Sequence, residues 1–201
     1  DFSFDADWGN ADSWQPYAYD FIVDNDRERR TISQEFRLAS SDAERIFHNS
    51  ADWLVGIYVM KLEDELRAVT EGTLIDPDPV FGYTFEVDDD FSGRYEAVTA
   101  ALFGRLDFDV GDANRLGLGV RVERRTTDYT NSTGLSFDPD ETMIGGELTF
   151  THEFSELTTG FVSLARGFKA GGFNPGFGVP EDRRRFDTEY VWNLEAGIKA
   201  Y

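Results

Sequence analysis

Between Arg115 and Glu123 the chain reads RLGLGVRVE, and every second residue is apolar: Leu116, Leu118, Val120 and Val122. Gly117, Gly119 and Arg121 fall between them. Side chains alternate across a strand but repeat about every 3.6 residues on a helix, so only an extended chain sorts these two sets onto separate faces. TMIGGELTFTHE repeats the pattern, with Ile144, Leu148 and Phe150 against Glu147, Thr149 and Thr151. EYVWNLEAGIKA repeats it again, with Trp192, Leu194, Ala196 and Ile198 against Asn193, Glu195 and Lys199. Eight strands are expected, over roughly residues 1–7, 28–39, 51–62, 94–109, 115–129, 141–153, 157–168 and 187–200. Several reach about 13 residues, beyond the usual 5–6.

The connections alternate in length. VGDAN (Val110–Asn114) and EFSE (Glu153–Glu156) are tight, and SSDAERIFHNS (Ser40–Ser50) is somewhat longer. Roomier loops are expected at about 8–27, 63–92, 130–140 and 169–186. Short turns at one end and long loops at the other describe a transmembrane barrel, whose crossing strands need about 9–11 residues. No apolar run approaches the roughly 20 residues of a membrane helix; DWLVGIYVM (Asp52–Met60) is the most apolar stretch. Mean hydropathy is −0.44. That value suits a barrel whose strands are apolar on the lipid side only, with charge gathered in loops and lumen. A soluble all-β carbohydrate-binding module with exposed tryptophans is the alternative, but it would use shorter strands with turns every 8–12 residues or so.

Four segments in order then resemble one family. SQEFRLAS followed by WLVGIYV, AALFGRLDFDVGDANRLGLGVRVERRTTDY, SLARGFKAGGFNPG and EYVWNLEAGIKA are similar to the barrel of TonB-dependent outer-membrane receptors. The resemblance implies an all-β, antiparallel, up-and-down transmembrane β-barrel segment, with residues 1–201 as part of the barrel domain. It implies no enzyme and no cofactor. The implied function is TonB-energised uptake across the bacterial outer membrane of a scarce chelate, of the ferric siderophore type. The implied partners are outer-membrane lipid and lipopolysaccharide, the metal-chelate ligand, and the TonB system through a plug region. No plug or energy-coupling box is recognisable, and too few strands are present to close a barrel of about 22 strands. The opening DFSFDADWGN has neither the basic flank nor the apolar core of a signal peptide. The chain is therefore expected to be a barrel fragment.

Other functions find little material. With 19 Lys+Arg against 39 Asp+Glu the formal charge is −20, which disfavours a nucleic-acid partner. Cysteine is absent, and His48 and His152 are the two histidines, so neither a catalytic nor a metal site is expected. The carboxylate runs DPDP (Asp76–Pro79), EVDDDF (Glu86–Phe91) and DPDE (Asp138–Glu141) fall in expected loops and lack calcium-loop spacing. SLARGFKAGGFNPG has neither the G-K-[ST] nor the following helix of a phosphate loop. Gly167, Gly171 and Gly172 are expected to let the chain bend there, with Phe168 and Phe173 at the membrane interface. Trp53 and Trp192 suit girdles at opposite membrane faces, and Trp8 and Trp14 fall in the first long loop. For ligand binding the candidates are Arg121, Arg125, Arg166 and Lys169, a basic patch near Arg183, Arg184 and Arg185 suited to an anionic iron chelate. The alternative pairs these arginines with Glu123, Asp128 and Asp187, or with lipopolysaccharide phosphates.

Overall fold

A computed structural model describes residues 2–8, 18–75, 82–175 and 179–200. Eleven strands follow in order: β1 (Phe2–Trp8), β2 (Ala18–Ala39), β3 (Ala51–Ile75), β4 (Thr84–Asp109), β5 (Asn114–Asn131), β6 (Ser136–Phe137), β7 (Asp140–Ser155), β8 (Thr158–Lys169), β9 (Gly172–Phe173), β10 (Arg185–Phe186) and β11 (Glu189–Ala200). One turn of 3-10 helix, Glu181–Arg183, is the sole helical element among the described residues. The main sheet is antiparallel and runs β1-β2-β3-β4-β5-β7-β8-β11, with β6 paired to β5 and a small β9–β10 ribbon apart. Neighbours in sequence are neighbours in space, and the sheet is not closed into a barrel. Among the described residues the other sheet is the two-stranded β9–β10 ribbon, too small to be the second layer of a sandwich.

The chain divides into two compact units. Residues 1–31, 62–96 and 128–137 form unit 1; residues 32–61, 97–127 and 138–201 form unit 2.

In unit 2 the alternation of the sequence becomes two faces. Across β5, β7, β8 and β11 the register aligns Leu118, Leu148, Leu164 and Leu194 in one row. All four are exposed, Leu194 to 73%. One residue along, the row is Gly119, Glu147, Ala165 and Asn193 on the opposite face. Val55, Ile57, Val59, Leu102, Val120, Ile144, Val162 and Ile198 are also exposed apolar residues. An apolar face with no protein layer above it is the arrangement expected of strands that meet lipid.

The polar face is filled by ion pairs and by rings laid over glycines. Arg105 holds Asp107 through Nε (2.8 Å) and also reaches Glu147. A Cβ on Gly117 would stand 2.7 Å from the Arg105 guanidinium, so glycine makes room for that side chain. Phe103 lies against Gly56, and Phe161 covers its direct cross-strand partner Gly197.

Unit 1 departs from the sequence expectation. Residues 18–27 and most of 63–92 were expected as loops, yet β2, β3 and β4 run through them. Their amphipathic alternation fades because neither face is apolar, but the backbone ladder continues and charges pair across it. Arg67 binds Asp90 through two nitrogens (3.1 and 2.7 Å), and Arg94 approaches Glu65 at 3.7 Å. EVDDDF is thus strand rather than loop. DPDP and Trp14 lie outside the described residues, and Trp8 closes β1.

Candidate functional site

The four cationic candidates do not share one face of the sheet. Arg121 stands on the polar face of β5, opposite Gly145, and donates to Glu123 at 2.9 and 2.6 Å. Its guanidinium also lies 5.3 Å from the Tyr58 ring and 5.7 Å from that of Phe103. Arg37 approaches Phe103 at 5.7 Å as well, so two cations flank one ring. Arg125 shares the face of Arg121 and lies opposite Glu141, which accepts from the Thr188 hydroxyl at 3.0 Å. Lys169 ends β8, mostly exposed, 3.9 Å from Glu189. Arg184 donates to the Asn174 carbonyl at 3.3 Å.

Arg166 points the other way. It is level with Gly146 and Val120, five residues below Arg125 along the β5–β7 register, a stagger of about 16 Å at strand rise. It also shares parity with Leu164, which puts it on the apolar face. The sequence left its direction open because β8 carries apolar residues on both faces, Phe161 and Ala165 as well as Val162 and Leu164. Of the pairings considered from sequence, Arg121–Glu123 is present (2.6 Å).

The glycines of SLARGFKAGGFNPG serve close packing. Among the described glycines the left-handed backbone region is occupied by Gly111 and Gly134, and not by Gly167, Gly171 or Gly172. A Cβ on Gly171 would fall 2.3 Å from Glu141 Oε1 and 2.5 Å from the Phe186 carbonyl oxygen. Side-chain bulk, not backbone angle, is what that position excludes. Gly172 similarly lies beneath the ring of its partner Phe186.

Within unit 1 the best-formed polar constellation is one that sequence reasoning missed. Asp64 on β3 accepts from Arg27 (2.8 and 2.6 Å) and from Arg29 (2.8 Å to Nε). Its side chain is only 8% exposed. The hydrogen bonds from Arg27 hold the Asp64 carboxyl below its ordinary value; burial opposes this and Arg29 reinforces it. The signal was present in DRERR, where Arg27 and Arg29 share one strand face, but it is legible only once residues 27–29 are known to be extended. A separate open groove of about 500 Å³ is lined by Asp26, Glu28, Arg67, Ser92, Arg94 and Ser132 among others, and Asp26 and Glu28 have the opposite strand parity to Arg27 and Arg29.

At the turn between β2 and β3, Arg45 pairs with Asp52 (2.9 Å) and reaches Asp109, while Arg115 adds a second bond to Asp52 (2.7 Å). His48 occupies that turn, and His152 bonds Asn114 Oδ1 at 2.8 Å through Nδ1. Trp53, just after the turn, donates to the Glu44 carbonyl at 3.1 Å, and Trp192 is exposed near the start of β11. No group of three His, Cys, Asp or Glu side chains fit to hold a metal occurs among the described residues. Asp140 instead binds Arg124 (3.0 Å from Nε).

This fold has counterparts among known proteins. The ferric yersiniabactin uptake receptor FyuA from Yersinia pestis is similar over 90% of this chain, with a TM-score of 0.70 and 21% sequence identity. At that identity the likeness is one of fold, and the chain spans 27% of that receptor's length. The model of the TonB dependent receptor-like β-barrel matches residues 1–201. The chain belongs to the TonB-dependent receptor β-barrel family.

Proposed function

We propose that this chain forms part of the barrel wall of an outer-membrane receptor that imports a scarce metal chelate, of the ferric siderophore type, with energy delivered through TonB. The two-faced sheet of unit 2 carries this reading. Its uncovered leucine and valine rows suit lipid, and its opposite face, lined with Arg105, Glu147, Arg121 and Glu123, suits a wet lumen. Family membership and the fold shared with a ferric yersiniabactin receptor support the transport class. On β3 the exposed apolar alternation ends at Val59, and Lys61 and Glu63 follow with the same parity.

For the ligand, Arg121 and Arg125 on the polar face and Lys169 at the end of β8 are the cations we assign to an anionic chelate. The aromatic rings beside Arg121 give it a platform as well as a charge. The test uses the complete receptor in cells that take up a labelled anionic ferric chelate. Uptake should vanish without TonB. Arg121→Glu with Arg125→Glu should weaken chelate binding about tenfold, the scale of one charge-assisted bond, while barrel assembly is retained. Unchanged affinity in the double variant would remove these residues from recognition.

A further inference from the structure

Arg166 occupies a position unlike that of the paired arginines. The row that contains it is Val120, Gly146, Arg166 and Trp192, immediately beside the row of four leucines. Its guanidinium does not stay at that level. Nη1 donates to the Ile144 carbonyl at 2.9 Å, two residues further along β7, and the group stacks 3.8 Å from the Tyr190 ring, two residues further along β11. Trp192, at its own level, is 6.0 Å away. The side chain therefore runs along the apolar face and lifts its charge toward the polar end, as a long cationic side chain does at a lipid boundary.

Arg27, Arg29, Arg37, Arg67, Arg105, Arg121 and Arg124 each meet a carboxylate. Arg166 meets none among the described residues; its bonds are to one carbonyl and two rings. One side of it is glycine backbone at Gly146, the other the two aromatic rings. On the uncovered apolar face this cation therefore keeps its charge without a carboxylate from the described residues. Below it, Leu148, Leu164 and Leu194 form an apolar strip that fits an acyl chain. An anion joined to hydrocarbon matches both halves; a free anion matches one.

We propose that Arg166, framed by Tyr190 and Trp192, is a docking site for the phosphate of a membrane lipid at the boundary of the lipid-facing band. The site rests on the outer-membrane reading above, but it is distinct from chelate recognition because it lies on the opposite face of the sheet. Nε and Nη2 remain to bind phosphate oxygens as charge-assisted donors, and the rings hold the guanidinium plane in place. Tyr and Trp are favoured at that depth because each has an apolar body and a polar tip.

The test is native mass spectrometry of the complete receptor released from dodecyl maltoside. The probes are bis-phosphorylated lipid A, the same lipid with its phosphates removed, and inorganic phosphate. Arg166→Gln should lower affinity for the phosphorylated lipid about tenfold, with Arg166→Lys between the two. The dephosphorylated lipid should bind both proteins equally weakly, and millimolar-range inorganic phosphate should not compete. Tyr190→Leu should weaken binding in the same direction, which keeps the proposal testable if Arg166→Gln assembles poorly. Equal affinity of Arg166→Gln and wild type, indifference to the lipid's phosphates, or competition by inorganic phosphate would each overturn it. A receptor that inserts and imports normally while failing this test leaves the transport reading standing; one absent from the membrane fraction defeats that reading instead.

Discussion

Asp64 receives two bonds from Arg27, Nε to Oδ1 at 2.8 Å and Nη2 to Oδ2 at 2.6 Å, and is nearly sealed from solvent by doing so. Arg29 closes on the same carboxylate. Asp64→Asn would leave two neighbouring cations facing a neutral amide. Both guanidinium groups are more than half exposed, so the loss is expected at about 2 kcal/mol, below that for breaking a fully buried pair. Faster hydrogen exchange of the β2 and β3 amides in the complete receptor would report it.

The same carboxylate sets an acid limit. Its folded value is depressed below the ordinary 3.8, so the unfolded state binds the proton more readily. The stabilisation is fully present above that ordinary value and disappears as pH falls through the depressed one. Protection of the amides near Asp64, corrected for the intrinsic exchange rate at each pH, should be flat from about pH 7 to pH 5 and fall below about pH 4, and the Asn variant should lack that fall. A transition centred above pH 5 would contradict the assignment.

Gly56 is a seat for Phe103. A Cβ there would stand 2.4 Å from the ring and 2.9 Å from the Phe36 carbonyl oxygen. Gly56→Ala is expected to cost about 2 kcal/mol, and Gly56→Val to reduce the yield of assembled barrel. Phe103→Leu should recover only part of the loss, since the backbone oxygen cannot retreat. Urea midpoints of the single and double variants in detergent would measure the coupling.

Gly171 is bounded by a carboxylate and by backbone at once, with Asp187 C a third neighbour at 2.9 Å. Gly171→Ala should dislodge the β9–β10 ribbon and speed proteolysis between residues 170 and 188. Glu141→Ala in the same chain should not restore protection, because the Phe186 oxygen remains. Restored protection would locate the conflict in the flexible carboxylate alone.

In the β2–β3 turn, Phe47, His48 and Asn49 take φ of 53°, 58° and 69° in succession. Left-handed backbone disfavours residues with a Cβ, so His48→Gly should stabilise the turn by about 1 kcal/mol. Phe47→Gly should not, because its ring packs 5.4 Å from that of Phe108. Unfolding midpoints that rise for the first and not for the second would bear this out.

The legible part of the fold was the part with one apolar face. Leu116 to Val122 and Ile144 to Phe150 alternate because one face is apolar and the other polar, and the strand limits there match within a few residues. Asp88, Asp89 and Asp90 read as loop because water meets both faces of that part of β4, so composition carries no period; cross-strand pairs such as Arg67–Asp90 accompany the ladder instead. Arg166 was visible as a cation but not as one on the apolar face, since Phe161 and Val162 are neighbours with opposite parity and both are apolar. The Gly171 seat was hidden because its neighbours, Glu141 and Phe186, come from elsewhere in the sequence.

Rings seated on glycines have a bearing on how such a sheet is put together. Alternation penalises a neighbour displaced by one residue, since every side chain would change face, but a displacement of two leaves all the faces correct. The pairs Gly197 with Phe161 and Gly172 with Phe186 discriminate where alternation cannot. Moved by two positions, Phe161 would lose its bare partner and meet Glu195 or Lys199. Glycine and phenylalanine together thus work as a key and notch, rejecting misaligned neighbours that hydrophobicity alone would accept.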